Sequence, residues 1–158
     1  MIDPRTITIV SGGQTGADRA ALDFANSHGI VHGGWCPRDR RAEDGPIADR
    51  YALKETPSRH YSQRTRWNIR DSDATLIFSI KPILTGGTRL TWELARELGK
   101  PVLHLSRDEL DVGSAASTLR EFVAQHEVRT LNVAGPRASQ APEIAAFVTS
   151  VLERAFGD

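Results

Sequence analysis

The sequence predicts an α/β domain, a Rossmann-like three-layer αβα sandwich around a mainly parallel sheet. Three observations predict it. Short apolar, β-prone runs alternate with segments of helical periodicity along the 158 residues, the pattern of a parallel sheet covered on both faces. One run, Ala74 to Ile80, is nearly all apolar, as a strand buried on both faces requires. Two glycine turns, Ser11-Gly12-Gly13-Gln14-Thr15-Gly16 and Thr85-Gly86-Gly87-Thr88, each follow a strand-like run and launch a helix.

Taken in order, Ile7, Ile9 and Val10 form a first short strand leading into the Ser11–Gly16 turn. Ala17, Ala20, Ala21, Phe24 and Ala25 then fall on one helical face. Gly29 is placed to end that helix. Ile30 and Val31 begin a second strand, closed by Gly33-Gly34. From Trp35 to Thr65 periodicity fails: three prolines, Gly45 and alternating charges replace it. A segment of that length without regular elements is usually functional or disordered, and Trp35, Ile47, Tyr51, Leu53 and Tyr61 give it apolar anchors.

Gln63 to Arg70 should be helical, followed by the Ala74–Ile80 strand. Arg89 to Leu98 should form the helix launched by the second glycine turn, with Leu90, Leu94, Ala95 and Leu98 on its buried side. Pro101 opens another strand, PVLHL. Ser114 or Ser117 is the candidate cap of the next helix, which carries Leu119, Phe122 and Val123. Arg129 to Val133 is a further strand with the outgoing loop Ala134-Gly135-Pro136-Arg137. Pro142 stands near the start of the last helix, where its missing N–H costs little.

The length suits one domain, residues 1–158, with a real core. Lys+Arg and Asp+Glu balance at 20 each, so no overall field draws in nucleic acid or an anionic membrane. Seventeen of the cations are Arg and three are Lys. Either the planar guanidinium is wanted for phosphate or carboxylate, or the composition reflects a GC-rich genome. Residues 38–70 hold nine cations against five acids, a local excess that reads as a ligand face or as a solvated surface. Cys36 is the only cysteine, so an intramolecular disulfide is impossible and a cysteine-based zinc site is not expected. Without a membrane-length apolar run or a signal-like start, the expectation is a cytoplasmic protein.

Free N–H groups and the positive end of a helix dipole favour an anion after each glycine turn. Ligands of open parallel sheets bind beyond the carboxyl ends of the strands. One cleft there can use Ser11–Gly16, Thr85–Thr88 and Gly135 with Arg137. Asp18 and Arg19 follow the first turn; Asp18 either complements the dipole or meets a ribose hydroxyl or metal ion. Glu93 is either a surface carboxylate or a cleft acid. If it faces a cleft, Glu93 as acid or base with an Arg on phosphate suits glycosidic cleavage. The five histidines show no metal-ligand spacing. Cys36 is a soft ligand or an idle thiol, and Trp35, Trp67 and Trp92 are ring-stacking or core residues.

The stretches SGGQTGADRAALDFA, GGWCPRDRRAEDGPI, YALKET, QRTRWNIRDSDATLIF, LTGGTRLTWELARELGKPVLHL and LNVAGPR together resemble the putative molybdenum carrier family of the SLOG superfamily. That resemblance implies a Rossmann-like fold, a phosphorylated small ligand, molybdenum cofactor as cargo and a homo-oligomer. A more distant resemblance is to the LOG, or lysine decarboxylase-like, phosphoribohydrolases. Arg64 lies eight residues before Ser72-Asp73-Ala74, and Glu93 keeps its spacing to Gly86-Gly87, matching that family's catalytic Arg and Glu. The Lys after its Arg is Thr65 here, and its Gly-Thr pair is Arg89-Leu90. A bulky cation in place of a glycine favours a ligand-binding protein over the alternative, a nucleoside monophosphate phosphoribohydrolase. The expected phosphate-binding set is Ser11 to Gly16, Asp18, Arg19, Thr85 to Thr88, Arg89, Gly135 and Arg137.

Overall fold

Five parallel strands form the sheet of the computed structural model, which describes residues 6–157. They are β1 (Thr8–Val10), β2 (Val31–Gly33), β5 (Ala74–Ser79), β6 (Val102–Ser106) and β7 (Thr130–Ala134), in the order β2-β1-β7-β5-β6. The last strand is therefore central: Val10 pairs with Asn132 on one side and Ile77 with Ala134 on the other. Every residue of β5 is buried, as its apolar run required. α1 (Ala17–Ser27), α4 (Val112–Gln125) and α5 (Ile144–Phe156) pack together over the main core; α2 (Tyr61–Arg70) and α3 (Gly86–Glu97) pair with each other. Ile69, Leu94 and Ala95 form the smaller core under that second pair. Among the described residues, no helix is long and apolar enough to cross a membrane.

Several sequence expectations need correction. α2 begins at Tyr61, two residues early, and α3 begins at Gly86 itself. Asp111, not Ser114 or Ser117, caps α4, its carboxylate accepting from the Ser114 N–H at 2.7 Å. A carboxylate at that position satisfies an orphan donor as well as a hydroxyl does. Leu90 is exposed, because it lies about 100° round the helix from Thr91, at the edge of the face that buries Thr91, Leu94 and Ala95.

The aperiodic segment is ordered by side-chain-to-backbone bonds. Two short parallel strands, β3 (Trp35–Cys36) and β4 (Lys54–Glu55), bracket it. Within it the Arg40 guanidinium donates to the carbonyls of Ile47, Ala48, Tyr51 and Leu53 at 2.7–3.3 Å. One fork of five donors thus does the work of a ladder. Ile47 and Tyr51 pack with Leu22, Ala42 and Cys36. Burial raises the pKa of the Cys36 thiol, so it is a packed, protonated group rather than a thiolate. Asn68 ties the segment to α2: its carboxamide accepts from the Trp35 N–H at 2.7 Å and donates to the Trp35 carbonyl at 2.9 Å.

Asp73 shows how a motif residue can serve the fold. Its carboxylate accepts the N–H groups of Arg129 and Thr130 at 2.9 and 2.8 Å, fixing the entry of β7 beside β5. These bonds hold its pKa below the ordinary value. The folded state thus binds this proton less tightly than the unfolded chain. The contribution is present above the unfolded carboxylate range and is lost as pH falls through the folded value. Asp73→Asn is expected to lower Tm at pH 7 by roughly 2–4 °C, as about 1 kcal/mol does at this chain length. The difference should shrink as pH falls below the ordinary carboxylate range; a deficit that stays equal down to strong acid would contradict the assignment.

Candidate functional site

Beyond the carboxyl ends of β1, β5 and β7 the three outgoing loops meet. The first glycine turn is an internal joint rather than an open cradle. Ser11, Gly12, Gly13 and Gly16 are buried. A Cβ on Gly12 would lie 1.8 Å from an Arg64 nitrogen; one on Gly16 would lie 2.5 Å from the Pro136 carbonyl oxygen. Arg19 braces the turn from outside, donating to the Gly13 carbonyl at 2.9 and 3.2 Å and to both Asp44 oxygens at 2.6 and 3.2 Å. Thr15 reaches across to the next loop: its hydroxyl donates to Glu43 and accepts the Ala138 N–H at 3.1 Å. Glu43 also accepts from the Ser139 hydroxyl at 2.6 Å, and these bonds lower its pKa.

Gln14 and Asp18 are the members of this group that line a cleft, together with Tyr61, Arg64, Gly87, Thr88, Gly135, Arg137 and Gln140 among others. Its volume is about 90 Å³. Asp18 is buried and accepts from Arg64 at 3.0 Å and from the Gln14 N–H at 3.3 Å. Desolvation raises its pKa, outweighing the lowering pull of Arg64 and the Gln14 N–H. Asp18 is therefore a buried partner that aims Arg64.

Among the described residues, two donors in this cluster have no acceptor, Nε2 of Gln14 and Nε of Arg64. The Gln14 amide orientation is fixed by its other end, because Oε1 accepts the N–H groups of Thr15 at 3.1 Å and Glu43 at 2.9 Å. The free atom must then be the NH₂ group. Gly87 and Thr88 bring the first turn of α3 to the same cleft, and no side chain caps that helix. Unpaired donors, a guanidinium and an open helix N-terminus are the groups that would suit an anion.

A second cavity of about 600 Å³ adjoins it, sharing Thr88, Pro136 and Gln140. Its walls include Ile80, Ile83, Leu84, Ala141 and Pro142, with Ser79, Lys81, Thr85 and Glu143 as polar groups. Arg89 and Glu93 lie elsewhere. They pair with each other at 3.0 Å along the exposed side of α3 and line a third cavity with Trp92, Arg96 and His104. The structure thus brings Arg64 to the polar cleft and leaves Glu93 out of it. Gly86 adopts a positive φ of 54° at the open start of α3. Trp35 and Trp67 pack edge to face at 4.8 Å, and no tryptophan lines the polar cleft. Sequence reasoning treated Tyr61 only as an apolar anchor and missed Gln140 and Glu43; an aromatic at a helix start amid arginines was the available signal. Among the described residues, no cluster of His, Cys, Asp and Glu could hold a metal ion.

Comparisons with known proteins agree with this architecture. A crystal structure of a putative molybdenum carrier protein from Syntrophus aciditrophicus SB is 45% identical, with a TM-score of 0.94 over 98% of this chain and 97% of that one. No curated protein matches. The profile of the circularly permutated YpsA SLOG family matches residues 9–156. A match over nearly the whole sheet, glycine turns included, settles the kinship: the chain belongs to the circularly permutated YpsA SLOG family.

Proposed function

We propose that the chain binds a small phosphorylated heterocyclic ligand, molybdenum cofactor or a nucleotide, and carries it rather than transforming it. The observation that supports this is the pair of acceptorless donors, Gln14 Nε2 and Arg64 Nε, on residues lining a polar cleft beside the open start of α3. A buried donor without a partner costs about 1–3 kcal/mol, and a phosphate oxygen is the acceptor this geometry suits. The adjoining cavity offers apolar walls for a ring system. The name of the solved relative accords with a molybdenum-bearing cargo. For the hydrolase alternative, the matching Arg and Glu would have to face one substrate, and Arg64 and Glu93 line separate cavities.

Mass spectrometry of small molecules released from the denatured, purified protein tests the reading. A phosphorylated pterin or nucleotide is expected at a substantial fraction of the protein. Protein that releases neither, and shows no heat of binding with AMP or molybdenum cofactor, would overturn it. The compartment that fits this cargo is the cytoplasm. A homo-oligomer is also expected, with the exposed Val31, Ile83 and Leu90 as candidate contact residues. Sedimentation at micromolar concentration should give a species heavier than the 17.3 kDa chain; the single chain alone would reject it.

A further inference from the structure

We propose that the ligand of this cleft carries two linked phosphates, as a nucleoside diphosphate does. The inner phosphate sits on Gln14, Arg64 and the start of α3, and the outer one between Arg137 and Arg41. This rests on the ligand-binding reading above and narrows the substrate class.

Tyr61 opens α2 and lines the cleft. Three guanidiniums gather on its ring, with Arg41 at 4.7 Å, Arg137 at 5.2 Å and Arg64 at 5.6 Å from the centroid. Attraction to the ring is one reason for a cation to be there, but three like charges around one aromatic repel one another. The carboxylates at hand offset them only in part. Asp18, the only carboxylate lining the cleft, is committed to Arg64 at 3.0 Å. Glu43 offsets Arg137 only in part: it senses that guanidinium, but its oxygens bond Thr15 and Ser139 and make no ion pair with it. Among the described residues, Arg41 and Arg137 make no ion pair. Arg41 stands at the exposed rim rather than in the cleft lining, gives one N–H to the Arg59 carbonyl at 3.0 Å and has no ion-pair partner among the described residues.

A single phosphate satisfying Gln14 Nε2 and Arg64 Nε would leave Arg41 without an ion-pair partner and Arg137 with Glu43 alone as a partial counter-charge. A second phosphate, one bridging oxygen away, supplies what is missing. Tyr61 then acts as a platform that holds the outer guanidiniums in place. With those groups over it, the ring is not open to stack a base, which assigns the heterocycle to the adjoining apolar cavity.

Calorimetry on the full chain with phosphate, pyrophosphate, AMP and ADP at one fixed salt concentration tests this. ADP should bind roughly tenfold or more tightly than AMP, and pyrophosphate than phosphate, the gain of one or two charge-assisted contacts. Arg41→Ala should pull the ADP-to-AMP affinity ratio toward one, and Arg41→Ala with Arg137→Ala should abolish the preference; thermal unfolding confirms that both variants are folded. Measurable AMP binding with no ADP advantage, or an advantage that survives the double substitution, overturns the diphosphate assignment alone. No binding of any of the four probes overturns the diphosphate assignment, and the ligand-binding reading falls with it only if molybdenum cofactor gives no heat of binding either.

Discussion

Gly16→Ala is expected to destabilise the protein by about 4 kcal/mol or more, near the top of the range for single substitutions. Gly16 has φ 81° and ψ −125°, a conformation that a side chain makes costly, about 1–3 kcal/mol of strain. The added Cβ would also meet the Pro136 carbonyl oxygen at 2.5 Å and the Ala138 nitrogen at 2.8 Å. Both are backbone atoms, so relief requires one loop to move. Movement would break the Ala17 N–H bond to Pro136 at 3.2 Å and the Ala138 N–H bond to Thr15 at 3.1 Å. The Tm should fall by roughly 8–16 °C. Gly86→Ala is the control: its φ is also positive, but nothing lies within 4 Å of an added Cβ, so the cost is about 1–2 kcal/mol. Equal effects at the two glycines would show that the loop junction is not rigid.

Arg64→Met should cost about 3 kcal/mol at a pH where Asp18 is ionised, in the range for breaking a buried ion pair. The two side chains are 14% and 4% exposed, so water cannot replace the guanidinium. The loss should depend on pH in a defined direction. The folded-state pKa of Asp18 is already raised by desolvation, and Arg64 opposes that rise. Without Arg64 it rises further, so the folded variant holds its proton to higher pH. The penalty is then largest where Asp18 is ionised in the wild type, and it shrinks as pH falls toward the ordinary carboxylate range. Unfolding across a pH series should give a deficit that grows as pH rises from the ordinary carboxylate range. A pH-independent deficit would mean that Arg64 contributes packing alone.

The elements legible in the sequence were those whose signals are local. The Ala74–Ile80 run, the alanine stripe of α1 and the glycine ends of α1 and α3 each carry their own periodicity or φ requirement, and all lie where expected within a few residues. Residues that act through distant backbone were not legible. Nothing near Arg40 announces that its donors meet carbonyls of residues 47 to 53, and Asn68 gives no hint that it pairs with Trp35 across 33 positions. Part of the candidate site misled for the same reason. Gly12, Gly13 and Gly16 were read as room for a ligand, whereas the groups that come close are Arg64, Ile47, Leu53 and Pro136. Spacing placed Arg64 and Glu93 together, but the helical phase of α3 turns Glu93 toward Arg89 and solvent.

The central position of β7 has a consequence for how the chain is made. During synthesis β1–β2 and β5–β6 leave the ribosome as two separate pairs, because the strand that joins them is residues 130–134. Until it emerges, one side of β1 and one side of β5 present unpaired backbone, and such edges invite the wrong neighbour. Closure then links residues more than a hundred positions apart, Thr8 to Thr130, which places the domain among slow-folding topologies.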